Sequence, residues 1–133
     1  MTRSGRSHPV RAHWDGGFRA TVTVRGFTFV VDEPEAAGGT DDGPMPTEYL
    51  LGALASCYAL AIAWAAGRGE VRLGELDVHA TGEYDGQKFA TITLEVHSDL
   101  PDDVLEPLLR SADRVCYVSR TLGTGPEVTV VRA

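Results

Sequence analysis

The chain is poor in cysteine and in clustered metal ligands. Two cysteines, Cys57 and Cys116, stand 59 positions apart in 133 residues, with no CxxC pair and no Cys/His group at zinc spacing. That excludes a zinc ribbon or finger and a disulfide-dense scaffold; in a reducing compartment the pair is free or redox-active rather than a permanent staple. Positive charge is also scarce. The 12 basic residues against 19 acidic ones leave a formal charge of −7, without the basic patch that a phosphate backbone or an anionic membrane surface requires. Neither nucleic acid nor a membrane is therefore expected as a partner. The opening MTRSGRSHPVRAHW has no apolar stretch of secretory type, so the expected location is cytoplasmic. Repeats and biased tracts are missing too, and 43% hydrophobic with 23% charged residues is a globular composition. The length fits one domain, residues 1–133.

What is present is periodicity of two kinds. Phe18, Ala20, Val22 and Val24 fall on one phase and Arg19, Thr21, Thr23 and Arg25 on the other, which is strand spacing. With turns at DGG (15–17) and RG (25–26), strands near 9–14, 18–24 and 27–32 make an antiparallel meander. EPEAAGGTDDGPMP then breaks the periodicity and reads as a long, functional-type loop; it has no lysine with which to cradle a phosphate. A second alternating stretch around Asp85–Gly86 opposes Leu76, Val78 and Ala80 to Ile92, Leu94 and Val96 as a hairpin. In SDLPDDVLEPLLRSADRVC, Asp99 as cap and Pro101 in the first turn open a helix with the stripe Leu105, Leu108, Leu109, Ala112 and Val115; Pro107 should start or kink it. EVTVV is expected as a final strand. This order of elements is α+β rather than parallel βαβ.

Between the two sheets, Tyr49 to Gly67 runs 19 residues without a charge, long enough to span a bilayer. Its composition argues for a buried helix instead: alanine is the commonest residue of the run, and it would be a lone span between amphipathic strands. A helix apolar all round must be covered all round, and one small chain has little left to cover it, so a partner subunit is expected. On the wheel Leu50, Ala53, Leu54, Cys57, Ala61 and Trp64 share a stripe. Two roles remain open for Cys57, a small buried hydrophobe or a reactive thiol. The second needs a cation, which its own helix does not offer before Arg68.

GPMPTEYLLGALASC followed by the alanine-rich helix, and later ADRVCYVSRTL, resembles the OsmC/Ohr family of thiol-dependent peroxide-reducing proteins over nearly the whole chain. The resemblance implies an OsmC-like fold, with antiparallel β-sheets packed around a long central helix in an intertwined homodimer. It implies further that Cys57 is peroxidatic and Cys116 resolving, that the substrate is an organic hydroperoxide, and that a dithiol such as dihydrolipoamide is the reductant. No cofactor and no metal are implied. An arginine and a glutamate of the family carry over to Arg19 and Glu48. Arg19 stands one step beyond the usual arginine position, and Glu48 lies nine residues before the cysteine rather than ten, about 13 Å along one helix. The second cysteine is followed by Tyr117 where the family usually has proline. The alternative from another class is a non-catalytic dimer of this fold that binds a small apolar ligand, with both cysteines as packing residues.

The remaining side chains carry bland readings. His79 and His97 fall on the solvent phase of two strands and read as surface histidines rather than a metal site, because further ligands are lacking. His8 and His13 have no acidic companion at ligand spacing. No serine sits in a hydrolase elbow. Asp41–Asp42 reads as a solvated loop, and Asp102–Asp103 as a helix start that suits the dipole.

Overall fold

The computed structural model describes residues 2–133, which form two compact units, one up to Leu50 and one from Leu51. In the first, β1 (Arg11–Gly16), β2 (Arg19–Val24) and β3 (Phe27–Val31) make an antiparallel sheet in the order β1-β2-β3. Gly16 and Gly17 turn β1 into β2, and Arg25 and Gly26 turn β2 into β3; all four have positive φ, the region tight hairpin turns need. Ala20 pairs with Val31 and Val22 with Phe29, so the alternation seen in the sequence sets the register.

The loop after β3 is cinched on Asp32, which is 1% exposed. Its carboxylate accepts the Thr40 hydroxyl at 2.5 Å and the backbone N–H groups of Glu33 at 2.7 Å and Asp42 at 3.1 Å. The Thr40 hydroxyl first, and these peptide donors after it, hold the Asp32 carboxyl at about 2 against the opposing effect of desolvation. A Cβ on Gly39 would lie 1.9 Å from the Glu33 carbonyl oxygen, so only glycine fits there. A short 3₁₀ turn, Glu35–Ala37, lies inside this loop.

Helix α1 runs from Pro46 to Arg68. It begins three residues before the uncharged run because Pro46 suits a first helical position and Glu48 accepts the Met45 N–H at 2.9 Å, one half of a capping box. Still within the first unit, the Tyr49 hydroxyl donates to the Val30 carbonyl at 2.7 Å and its ring packs on Phe29.

In the second unit, β4 (Leu76–Asp85) and β5 (Lys88–Ser98) form the expected hairpin, turning at Gly86 with positive φ. Val78 faces Val96 and Ala80 faces Leu94. These inner side chains pack against a core of Tyr58, Ile62, Ala65 and Ala66 from α1 with Leu108 and Ala112 from α2 (Asp102–Val115). Ile62 is fully buried, which contributes about 1.5–3 kcal/mol.

Three expectations are corrected. The residue that caps α2 is Pro101, with no side-chain hydrogen bond, and not Asp99; proline has no N–H to lose at a helix start, so the chain turns in without an acidic cap. Of the two outcomes expected at Pro107, a helix start is ruled out, because the helix already runs from Asp102 and continues through it. Finally, EVTVV is not a strand. A further helix, α3 (Tyr117–Thr124), follows α2, and residues 125–133 are irregular and exposed. A strand needs a partner for its backbone groups, and among the described residues no backbone hydrogen bond joins 126–133 to another element.

Candidate active site: a thiol pair at a helix junction

Cys57 lies in the middle of α1. Cys116 is the hinge between two helices, at once the C-cap of α2 and the N-cap of α3, with φ −74° and ψ 107°. Its extended backbone breaks the helical ladder and re-aims the chain, so the first N–H groups of α3 are left without intrahelical acceptors. Cys116 is fully buried in the core and Cys57 is half-buried against it. Both are free, and their thiols are within hydrogen-bonding reach of one another.

The largest effect on the Cys57 thiol is burial, which pushes it up from its ordinary value. The backbone N–H of Val118 opposes burial by donating to the sulfur; the Cys116 thiol raises it again, and the Tyr117 N–H lowers it. The net direction is upward. The two peptide donors are the first residues of α3, where unpaired N–H groups and the positive end of the dipole favour an anion. Dipole help that α1 could not supply to its own cysteine thus comes from another helix. Sequence reasoning missed these donors because VCYVSRTL continues the amphipathic pattern of α2; the break at Cys116 is a backbone feature that no side-chain periodicity announces.

Cys57 packs against a core that contains Cys116 and is otherwise mostly apolar, with Trp64, Leu109 and Val115 among the other side chains packed against it. Tyr58, next to Cys57 in sequence, donates its hydroxyl to Asp113 at 2.6 Å. Burial and then the Asp113 carboxylate push its phenol far up, which makes Tyr58 a fixed donor rather than a titrating group.

The other two expected site residues belong to the first unit. Arg19 opens β2; its Nη1 donates to Asp15 at 2.8 Å, and Asp15 also accepts the Thr21 hydroxyl at 2.7 Å. That hydroxyl, then His13, and more weakly the Arg19 charge hold Asp15 below the ordinary carboxylate range. Arg19 Nε lies 3.4 Å from Asp42, but its N–H does not point at that oxygen and is left without a hydrogen bond. Glu48 spends one carboxylate oxygen on the Met45 N–H. The structure therefore brings Cys57 and Cys116 together, places Arg19 in an acidic cluster and Glu48 at a helix cap.

Fold and site together define a small α+β protein with a paired, uncrosslinked dithiol. Residues 39–131 match the family described as OsmC-like protein, and the chain belongs to that family. Solved structures share the fold. A putative osmotic stress induced and detoxification response protein from Psychrobacter arcticus is 18% identical, with TM-score 0.71 over 91% of each chain. An OsmC-like protein from Mycoplasma pneumoniae is also 18% identical, with TM-score 0.72 over 91% of this chain and 90% of that one. A putative organic hydroperoxide resistance protein from Vibrio cholerae, with captopril bound in one of its active sites, is 24% identical with TM-score 0.66 over 92% of this chain and 90% of its own. No protein of curated function aligns significantly with the chain.

Proposed function

We propose that the protein reduces organic hydroperoxides with Cys57 as the peroxidatic and Cys116 as the resolving thiol. The observation that carries this is the contact between the two free thiols, one of them under the N–H groups of α3. The Cys57 thiolate attacks the peroxide, an S–O bond forms, the O–O bond breaks, and the alkoxide leaves and is protonated to an alcohol. Cys116 then displaces water from the sulfenic acid to form a disulfide. A small dithiol, of which dihydrolipoamide is one, reduces that disulfide by exchange and leaves as its own disulfide. The mostly apolar core against which Cys57 packs favours a bulky organic peroxide over hydrogen peroxide. Arg19 is assigned as the thiolate's cation by the family resemblance, and Glu48 is carried over on the same ground.

The unit of function is a homodimer, and the chain is a single functional domain in the cytoplasm, where thiols are kept reduced. Support for the dimer comes from α1. It is the one described helix long and apolar enough to cross a membrane, yet only 33% of that window is buried within the chain. Gly52, Ala53, Ser56, Leu60, Ala63 and Gly67 form an exposed stripe of mostly small residues, with Leu60 at 70% exposure. Such a stripe allows close approach of a second helix.

Mass spectrometry after treatment with cumene hydroperoxide tests the chemistry. A Cys57–Cys116 disulfide is expected in the native chain, and over-oxidation of Cys57 to sulfinic acid in Cys116→Ser; Cys57→Ser abolishes turnover with a dithiol. The raised Cys57 thiol favours a second reading, a non-catalytic dimer that binds a small apolar ligand. If Cys57 stays unmodified, that second reading replaces the first.

A further inference from the structure

The outer face of the β4–β5 hairpin carries a second cluster, unrelated to the thiols. His79 on β4 pairs directly with Glu95 on β5, and Asp77 pairs with His97, so two adjacent cross-strand pairs place both histidines and two carboxylates on one face. The His79 and His97 rings, diagonal to each other, have centroids 4.6 Å apart. Glu95 Oε1 is in contact with His97 Nε2. One ligand atom each from His79, Glu95 and His97 lie within 4.8 Å of one another. The outward residues from 77 to 83 and from 91 to 97 are Asp77, His79, Thr81, Glu83, Thr91, Thr93, Glu95 and His97, with no lysine or arginine among them.

We propose that His79, Glu95 and His97 bind a divalent transition-metal ion, best served by Zn²⁺. Two imidazoles and one carboxylate are the donor set of three-ligand zinc sites, which leave a position for water. Around a tetrahedral ion with bonds near 2.1 Å the ligand atoms stand roughly 3.3 Å apart. The three side chains are exposed on an antiparallel hairpin, and rotamer adjustment would open the Glu95–His97 contact and draw His79 in toward that spacing. Asp77, opposite His97, adds negative potential or a hydrogen bond to that ring. Glu95 is what the sequence could not supply: until the register is known, nothing says that it stands across from His79.

The test is titration of the chelator-treated full chain with Zn²⁺, followed by calorimetry and by the histidine ring signals in NMR. One ion per chain is expected, with micromolar affinity. The ring signals of His79 and His97 should shift while those of His8 and His13 stay, and His79→Ala or His97→Ala should weaken binding by at least about tenfold. Glu95→Gln should weaken it as well, with the circular dichroism of all three variants unchanged. Binding that survives both histidine variants and disappears in Cys57→Ser places the ion on the thiols and overturns the proposal. So does the absence of any shift at His79 and His97.

Discussion

The two N–H groups that α3 aims at Cys57 can be edited one at a time. Tyr117 is the first residue of α3, and Cys116 before it has φ −74° and ψ 107°, within reach of the extended region that a residue preceding proline prefers. Proline is at home at the first position of a helix. Tyr117→Pro therefore deletes one donor to the sulfur, leaving the Val118 N–H and the helix in place. A hydrogen bond to a charged acceptor contributes about 1.5–3 kcal/mol. Because Cys57 is only half-buried, the lower end applies, and about 1.4 kcal/mol is a factor of ten in an equilibrium. Tyr117→Pro should hold about tenfold less thiolate than the native chain at a given neutral pH, and the rate of sulfenate formation with cumene hydroperoxide should fall in proportion. Tyr117→Ala removes the ring and keeps the N–H, so it should titrate like the native protein. The assay is the ultraviolet absorbance of the thiolate as a function of pH, with stopped-flow oxidation alongside. Should the proline and alanine variants titrate together, the Tyr117 N–H is not a determinant of the thiol and the electrostatic role given to α3 is wrong.

Two further outcomes follow from other parts of the molecule. Leu60→Arg puts a charge in the middle of the exposed α1 stripe; a lone chain tolerates it, whereas an interface that would bury it loses several kcal/mol, so under the proposed dimer sedimentation should show the native chain at twice the chain mass and the variant as a folded monomer. The Asp32 carboxyl is lowered from 3.8 to about 2 in the folded state. Its contribution to stability is thus present in full above about pH 4 and lost as the pH falls toward 2. Melts followed by circular dichroism should show that loss in the native chain and a flatter profile, lower at neutral pH, in Asp32→Asn; parallel profiles would remove Asp32 from its place as organiser of the loop.

Most of the frame was legible in the residues because its periods are clean. The strand alternation from Ala20 to Val24 and the opposition of Val78 to Val96 each follow from one buried face, and the long α1 from an uncharged run with Pro46 at its start. The C-terminal strand was not legible correctly: Val128 and Val130 alternate with Glu127 and Thr129 as a strand would, but pairing is a property of two segments, and among the described residues none pairs with this one. At the site, the cysteines announced themselves by context, while the donors of Tyr117 and Val118 are backbone groups and have no residue signature. Arg19 was placed on the polar phase of its strand and lies there, yet its neighbours Asp15 and Asp42 come from a turn and a loop whose paths the local pattern does not specify. Glu48 was weighed for chemistry, and its spacing of three from Met45 already carried the helix-capping use that the structure shows.

The exposed valines near the C-terminus bear on how the protein is handled in a cell. Val128, Val130 and Val131 are 84%, 92% and 81% exposed and carry no backbone pairing among the described residues. An apolar, β-prone segment of this kind, left uncovered, is a site for edge-to-edge aggregation and a foothold for chaperones and proteases. Limited proteolysis should therefore trim residues 125–133 first, before it reaches the helices and strands.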